Sequence, residues 1–257
     1  MDHALQRRLQ DWLRDRVDAV GFAPVDRWSA APERHHPSAI CRDAATVIVF
    51  GRAMPRGVLA SPEYNLYLLH RSYHSIYPAL DDIALRLSNR LEAEGFFAVP
   101  IPSYAPLVFH GAEPWGILSL KHAAVSAGLA ALGRSGLAYH PRFGALLRLA
   151  AVVTNAQLSG DPVLEAEPCP PKCQACHQAC PAGAFAEGGF QKMKCLAHTI
   201  RHGIYPLALK GEEGLKNLEM IINTAGYNYW LKCDECLKVC PLHRRPRGPA
   251  PAAEAAD

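Results

Sequence analysis

The chain has 257 residues, of which 49% are hydrophobic and 20% charged, a composition typical of an ordinary globular protein. Its formal net charge of +3 is too small to indicate nucleic-acid binding by itself. No apolar run approaches the ~18 residues of a membrane span, and no secretory signal is visible. We therefore expect a cytoplasmic protein without a membrane partner.

In chain order, the apolar periodicity predicts helices that alternate with buried strands. A long helix is expected to start at Ser61-Pro62, with Pro78 kinking or dividing it. The predicted helices cover residues 3–20 (ending at Gly21), about 62–95, and 119–132 (ending at Gly133). The predicted strands cover residues 44–50, 96–101 and 145–155. This order indicates an α/β or α+β domain over residues 1–160.

After a turn-rich boundary at 161–168, two cysteine runs dominate residues 165–243. Each run ends in Cys-Pro, at Cys180 and at Cys240, and in two-cluster ferredoxins such a cysteine ligates the cluster of the other run. We therefore predict two [4Fe–4S] clusters. The first set of ligands is Cys169, Cys173, Cys176 and Cys240; the second is Cys180, Cys195, Cys233 and Cys236. Residues 244–257 are rich in Pro, Ala and Arg and are predicted to be a disordered tail.

Alternatives to this assignment remain open at this point. The spacing from Cys169 to Cys173 is one residue longer than usual, so either the Pro170-Pro171 turn absorbs the extra residue or Cys169 is not a ligand. Zinc also uses Cys-x-x-Cys pairs but does not favour two Cys-Pro endings. Disulfides need an oxidising compartment. Cys41 lies outside both runs and is predicted to be an inert buried thiol.

A segment of small residues lies before the cysteines, at 121–137. The lack of bulk in its predicted helix and the Gly-Arg-Ser-Gly turn at 133–136 would let a large cofactor approach the backbone. A close helix contact followed by a helix C-cap is the alternative interpretation. The candidate cofactor-binding residues are Lys121, His122, Gly128, Gly133, Arg134, Ser135, Gly136 and His140.

Residues 121–156 (KHAAVSAGLAALGRSGLAYHPRFGALLRLAAVVTNA), together with the two cysteine runs, resemble the epoxyqueuosine reductases and the reductive dehalogenases. The resemblance covers about residues 40–243, and Tyr73-His74 also matches a Tyr-His pair of the reductases. It implies an α+β fold in which a nitroreductase-like α/β cofactor domain, binding cobalamin, precedes a two-cluster ferredoxin-like domain.

The sequence also departs from the family pattern. Ala130-Ala131 replaces a Gly-Trp pair and Arg134 replaces a lysine. The acidic proton donor of the reductases is not evident, and the chain resembles a short form without their C-terminal helical-repeat domain. These departures weigh against epoxyqueuosine itself as the substrate.

The favoured hypothesis is an iron–sulfur oxidoreductase that passes electrons from two clusters to a bound corrinoid. A ferredoxin or flavodoxin would be the low-potential donor. Tyr104 and Tyr73 are candidate catalytic proton donors, although either could be a core aromatic residue. The second hypothesis is an electron-transfer or corrinoid-handling protein that serves a partner enzyme. Nucleic-acid binding is disfavoured, since no recognition motif accompanies the basic residues Arg142, Arg148, Arg201, His202 and Arg244–Arg247.

Overall fold

The computed structural model describes residues 1–29, 31–104, 107–111, 113–165, 167–186, 189–202 and 229–243. The predicted tail at 244–257 lies outside these residues. The helices are α1 (His3–Arg14), α2 (Pro37–Ile40), α3 (Gly57–Ala60), α4 (Asn65–Ala93), α5 (Leu120–Ser126), α6 (Ala175–Gln178), α7 (Lys192–Thr199) and α8 (Glu235–Lys238). The strands are β1 (Ala19–Pro24), β2 (Thr46–Ala53), β3 (Ala98–Ile101), β4 (Leu107–His110), β5 (Glu113–Gly116), β6 (Ala131–Leu132), β7 (Ala138–Tyr139), β8 (Leu147–Thr154), β9 (Phe185–Ala186), β10 (Gly189–Phe190), β11 (Ile200–His202) and β12 (Tyr229–Leu231).

A four-stranded antiparallel sheet with the order β1-β2-β8-β3 organises the first 160 residues. Its central strands β2 and β8 are buried on both faces. Because successive side chains of a strand point to opposite faces, Ile48 and Phe50 enter one hydrophobic core while Val47 and Val49 enter the other. The three strands predicted in this region are therefore confirmed, and the mixed α+β class with them.

Helices α1 and α4 cover the first face of this sheet. Leu5, Leu9 and Leu13 of α1 are fully buried at helical spacing, and Asp2 caps the helix by accepting from the backbone N–H of Leu5 at 2.8 Å. Helix α4 continues through the exposed Pro78 without a break, so this residue does not divide the helix, and the alternative of a kink stays a prediction. None of the described helices is both long and apolar enough to cross a membrane.

The helix predicted over residues 3–20 is too long. It ends at Arg14, and residues 19–24 form β1, which pairs antiparallel with β2. Val17 and Val20 continue the helical spacing, but Val17 lies between α1 and β1, and Val20 pairs with Phe50 of β2. Gly21 does not end a helix: a Cβ there would lie 2.4 Å from the carbonyl oxygen of Ala127, so glycine lets α5 pack directly on β1.

The small-residue helix predicted over residues 119–132 is also too long. Helix α5 ends at Ser126, and Gly128 adopts a positive φ of 68°. The chain then enters the short β6–β7 hairpin, whose turn is the segment 133–136. Ala123, Ala124 and Ala127 are buried in the second core, so close packing accounts for these small side chains.

Candidate redox site

The first predicted set of cysteines lines one narrow cavity. Cys169 and Cys173 precede α6, Cys176 lies on it, and Cys240 follows α8. Burial raises the pKa of the Cys176 thiol, with further contributions from Cys169 and Cys240. Three cysteines of the first run and the Cys-Pro cysteine of the second therefore lie around the same space.

The extra residue between Cys169 and Cys173 is accommodated in a tight turn. The backbone N–H of Cys173 donates to the carbonyl oxygen of Pro170 at 3.1 Å, and Lys172 has a positive φ of 57°. Proline at the second position and a positive φ at the third are typical of a type II turn. Cys169 thus reaches the cavity despite the longer spacing.

Arg134, which was predicted to bind a cofactor, forms hydrogen bonds to this turn. Its Nη1 donates to the carbonyl oxygens of Pro170 at 3.0 Å and Cys173 at 2.9 Å. Its backbone N–H lies 3.4 Å from the sulfur of Cys169, and its carbonyl oxygen accepts from His177 Nε2 at 3.0 Å. These contacts join the β6–β7 turn to the first cysteine run.

Gly133 likewise lies against the cysteine run and not against open space. A Cβ at this position would lie 2.4 Å from the ring of Tyr139 and 3.3 Å from the sulfur of Cys169. A Cβ at Gly128 would lie 2.0 Å from the carbonyl oxygen of Pro162. Both glycines therefore permit the chain to pack on itself, and a bulky residue at Gly133 would disturb Cys169.

The second predicted set of cysteines lines a larger cavity, with a volume of about 260 Å³. Its members are Cys180, Cys195, Cys233 and Cys236. Burial raises the pKa of Cys236 to about 12, and Cys195 and Cys233 add to this shift. Such thiols become thiolates only when a bound cation compensates the charge, so the donor set fits an iron–sulfur cluster. Within the described residues, no group of three or more His, Cys, Asp or Glu side chains could hold a single metal ion.

Two buried polar contacts dock the second cysteine run onto the sheet domain. Asn65, at the start of α4, donates to Asp234 Oδ2 at 2.6 Å. His243 Nε2 accepts from the backbone N–H of Ala145 at 3.0 Å, and its Nδ1 donates to the carbonyl oxygen of Leu237 at 2.8 Å. These bonds place the second run against α4 and the segment before β8.

The predicted Tyr73 and Tyr104 line the same cavity as the second cysteine set. They stack on either side of Tyr77, with ring centroids 5.2 Å and 5.7 Å from its ring. Arg148 Nη1 donates to the Tyr73 hydroxyl oxygen at 3.2 Å. Burial raises the pKa of Tyr73 to about 12 although Arg148 opposes the shift, and burial also raises the pKa of Tyr104.

The sequence predictions did not include Tyr77 in this site, and they named Arg148 only as a basic residue that could contact nucleic acid. The spacing of Tyr73 and Tyr77 along one helix is a signal that could have identified the pair, because residues four apart share a helix face. No comparable signal relates Arg148 to these tyrosines, since its strand is distant in sequence.

The remaining predicted cofactor residues separate into different environments. Ser135 is buried, with its hydroxyl 3.0 Å from that of Tyr139, and it lines the second cysteine cavity. Lys121 Nζ donates to the carbonyl oxygen of Gly136 at 3.0 Å. His140 accepts from the backbone N–H of Arg142 at 3.0 Å, and burial lowers its pKa to about 4, so it caps a turn. His122 lies on a separate cavity. The predicted residues thus do not form one continuous surface.

Comparison with known proteins gives relatives of one kind. No protein-family profile matches the chain. An epoxyqueuosine reductase of Synechocystis sp. (strain ATCC 27184 / PCC 6803 / Kazusa) is 28% identical over 263 residues, which cover 98% of this chain and 79% of the relative. An epoxyqueuosine reductase of Lactococcus garvieae (strain Lg2) is 28% identical over 217 residues, covering 82% of this chain and 56% of the relative. Both names are those of oxidoreductases, the class of enzyme that was expected.

Solved structures agree in fold. The epoxyqueuosine reductase of Streptococcus thermophilus is 18% identical with a TM-score of 0.58, over 98% of this chain and 69% of that one. An epoxyqueuosine reductase bound to a tRNA stem loop is 20% identical with a TM-score of 0.61, over 96% and 67% of the two chains. The reductive dehalogenase NpRdhA has a TM-score of 0.53 at 16% identity, over 92% and 31% of the two chains. The resemblance predicted from the sequence is therefore confirmed: the chain is similar in sequence to epoxyqueuosine reductases and shares its fold with them and with the reductive dehalogenases.

Proposed function

We propose that this protein is an iron–sulfur oxidoreductase in which two [4Fe–4S] clusters pass electrons to a bound corrinoid. The observation that carries the proposal is the division of eight cysteines between two cavities, each lined by cysteines of both runs. Crossing ligands of this kind are what two-cluster ferredoxins use. On this basis Cys240 belongs to the first cluster and Cys180 to the second.

The chain would supply each cluster with a rigid frame. Arg134 holds the turn that carries Cys173, and its backbone N–H is aimed at the sulfur of Cys169. Asn65 and His243 hold the second run. Hydrogen bonds to cluster sulfurs and exclusion of solvent are the means by which a protein tunes the reduction potential.

The Gly128–Gly136 segment stays the predicted corrinoid surface. Side chains larger than glycine do not fit at Gly128 and Gly133, because Pro162 and Tyr139 occupy the space on one side of this segment. A neighbouring cavity, whose lining includes Ser103, shares Tyr77, Leu137 and Arg148 with the second cysteine cavity. Tyr77, Leu137 and Arg148 would contact one edge of the cofactor, which when bound would supply low-potential cobalt for reductive bond cleavage.

Tyr73 is the candidate proton donor that the geometry favours. Arg148 donates to its oxygen at 3.2 Å, which leaves the hydroxyl proton available to a substrate in the cavity. The guanidinium would stabilise the phenolate that remains after transfer. With its pKa raised to about 12, Tyr73 stays protonated throughout the physiological range.

The second candidate is an electron-transfer or corrinoid-handling protein that serves a partner enzyme and has no organic substrate of its own. The absence of an evident acidic proton donor and the Ala130-Ala131 pair in place of Gly-Trp favour it. In both cases a ferredoxin or flavodoxin would be the electron donor.

Anaerobic purification followed by iron, sulfide and cobalt analysis tests the proposal. We expect about eight iron atoms per chain and an absorption change when cobalamin is added. A fully folded protein that contains zinc and no iron would contradict the clusters. Eight irons without cobalamin binding would select the electron-transfer alternative.

A further inference from the structure

A second large cavity lies away from both cysteine sets, with a volume of about 550 Å³. We name it the lysine cavity; residues lining it include Trp28, Trp115, Lys121, His122, Val125 and Lys192. They come from α5, β5, the start of α7 and the segment after β1, so several separate parts of the chain enclose it.

Three basic side chains converge on this space without an acidic residue among those that line it. Lys121 Nζ is fixed by its bond to the carbonyl oxygen of Gly136. Lys192 Nζ lies 3.8 Å from the centroid of the Trp115 ring and 3.1 Å from Glu113 Oε2. His122 is held by Ser119 Oγ, 2.6 Å from its Nδ1. Each group is therefore held in place by a neighbour.

The convergence of like charges has an electrostatic cost. Burial lowers the pKa of Lys121, and the charge of Lys192 lowers it further. Burial also lowers the pKa of His122, with contributions from Lys121 and then Lys192. A bound anion would remove this repulsion, and such arrangements are typical of binding sites.

Other basic groups at the cavity are already engaged. Arg27 donates to the carbonyl oxygens of Ser126 and Asp161. His35 Nδ1 lies 3.2 Å from the carbonyl oxygen of Ile117, and its Nε2 lies 2.9 Å from His110 Nε2. Lys121 and Lys192 each use one of three ammonium donors in the bonds given above, and His122 uses one of its two ring nitrogens, so these three groups have donors left for a ligand.

We propose that the lysine cavity binds an organic phosphate monoester, with the phosphate between Lys121, His122 and Lys192. A dianion matches two lysines and an imidazole better than a singly charged carboxylate does. Trp28, Pro114 and Val125 provide apolar walls for the organic part of the ligand. The enclosure by separate segments favours a small molecule over a nucleic-acid backbone. This inference goes beyond the proposed function, because it needs neither cluster nor corrinoid.

Calorimetric titration of the full chain with phenyl phosphate, in a buffer free of phosphate, tests this site. We expect saturable binding that is tighter than binding of inorganic phosphate, and at least about tenfold weaker binding in Lys192→Gln. Lys194→Gln is the matched control, because Lys194 is exposed on the same helix. Iron content and the unfolding midpoint establish that both variants fold like the wild type.

Three outcomes would overturn the proposal. Binding that does not saturate, or equal losses in Lys192→Gln and Lys194→Gln, would mean that the protein attracts anions only through its general surface charge. Displacement of phenyl phosphate by a single-stranded RNA oligonucleotide would assign the basic groups to a nucleic acid. Failure of cobalamin or iron binding would affect the proposed function alone.

Discussion

At the scale of single residues, the cysteines differ in whether local sequence or tertiary packing brings them to their cavity. Cys169, Cys173 and Cys176 are close in sequence, and local turns bring them to the first cavity. Cys240 belongs to the other run and also lines the first cavity. Its position is held by His243, three residues further along the chain, which bonds to Ala145 and Leu237. The division of ligands between the two sets therefore depends on how the runs dock.

Replacing single cysteines tests this division. We expect Cys240→Ser and Cys169→Ser to impair the same cluster, because both cysteines line the first cavity. Cys236→Ser should impair the other cluster, because Cys236 lines the second cavity. Iron analysis and electron paramagnetic resonance of the reduced proteins would measure the effect. If Cys240→Ser lost the same signal as Cys236→Ser, the crossed assignment would be wrong.

His140 makes stability depend on pH. Its folded pKa of about 4 lies below the unfolded value of 6.5, so its contribution is complete above pH 6.5 and is lost as pH falls toward 4. We expect a loss of about 2 kcal/mol, less than the full shift because the ring is partly exposed. Denaturant unfolding of wild type and His140→Asn at pH 7.5 and 4.5 measures it.

The difference between the two proteins isolates His140, since both carry the same cysteines and the amide oxygen of asparagine can accept from the backbone N–H of Arg142. Equal pH dependence in the two proteins would show that this histidine does not contribute.

At the scale of elements, close backbone approach determines where α5 lies. Gly21 of β1 faces the carbonyl oxygen of Ala127 directly after α5, and Gly128 faces that of Pro162. The small side chains of α5 are buried between these contacts and the sheet. This packing positions Lys121 and His122, at the exposed end of the helix, beside the lysine cavity.

Two Gly→Ala substitutions distinguish the packing role of Gly21 from the general effect of replacing glycine by alanine. A Cβ at Gly21 would lie 2.4 Å from backbone, so Gly21→Ala should lower the free energy of unfolding by about 2 to 4 kcal/mol. Gly57 begins α3 and has no atom within 4 Å of its would-be Cβ, so Gly57→Ala should change stability by less than about 1 kcal/mol. Equal effects in urea unfolding would refute the packing argument.

At the scale of the whole molecule, the second cysteine run and the sheet domain meet around Tyr73, Tyr77 and Arg148. His243 stacks on Tyr139 at 5.9 Å and joins the segment before β8 to α8. The second cluster would therefore lie beside the tyrosines only while this contact holds.

His243→Phe tests the docking contact. Phenylalanine keeps the stacked ring but removes both hydrogen bonds, which leaves the buried N–H of Ala145 without its acceptor. We expect a loss of about 1 to 3 kcal/mol of stability and faster bleaching of the clusters in air. His3→Phe is the control, because His3 is exposed. Unchanged bleaching rates in His243→Phe would argue against a role in docking.

The sequence by itself determined the likeness to the relatives and the central strands of the sheet, and it predicts the redox chemistry that we propose. These features depend on local spacing: cysteines a few residues apart, Cys-Pro endings, and short apolar runs. Tertiary structure decided the rest. Residues 19–24 are a strand because β2 offers them an edge, and Gly128, Gly133 and Arg134 contact the chain itself because Pro162, Tyr139 and the first cysteine run approach them. Such contacts join residues that are distant in sequence, and neither periodicity nor spacing along the chain predicts which distant segments pack together.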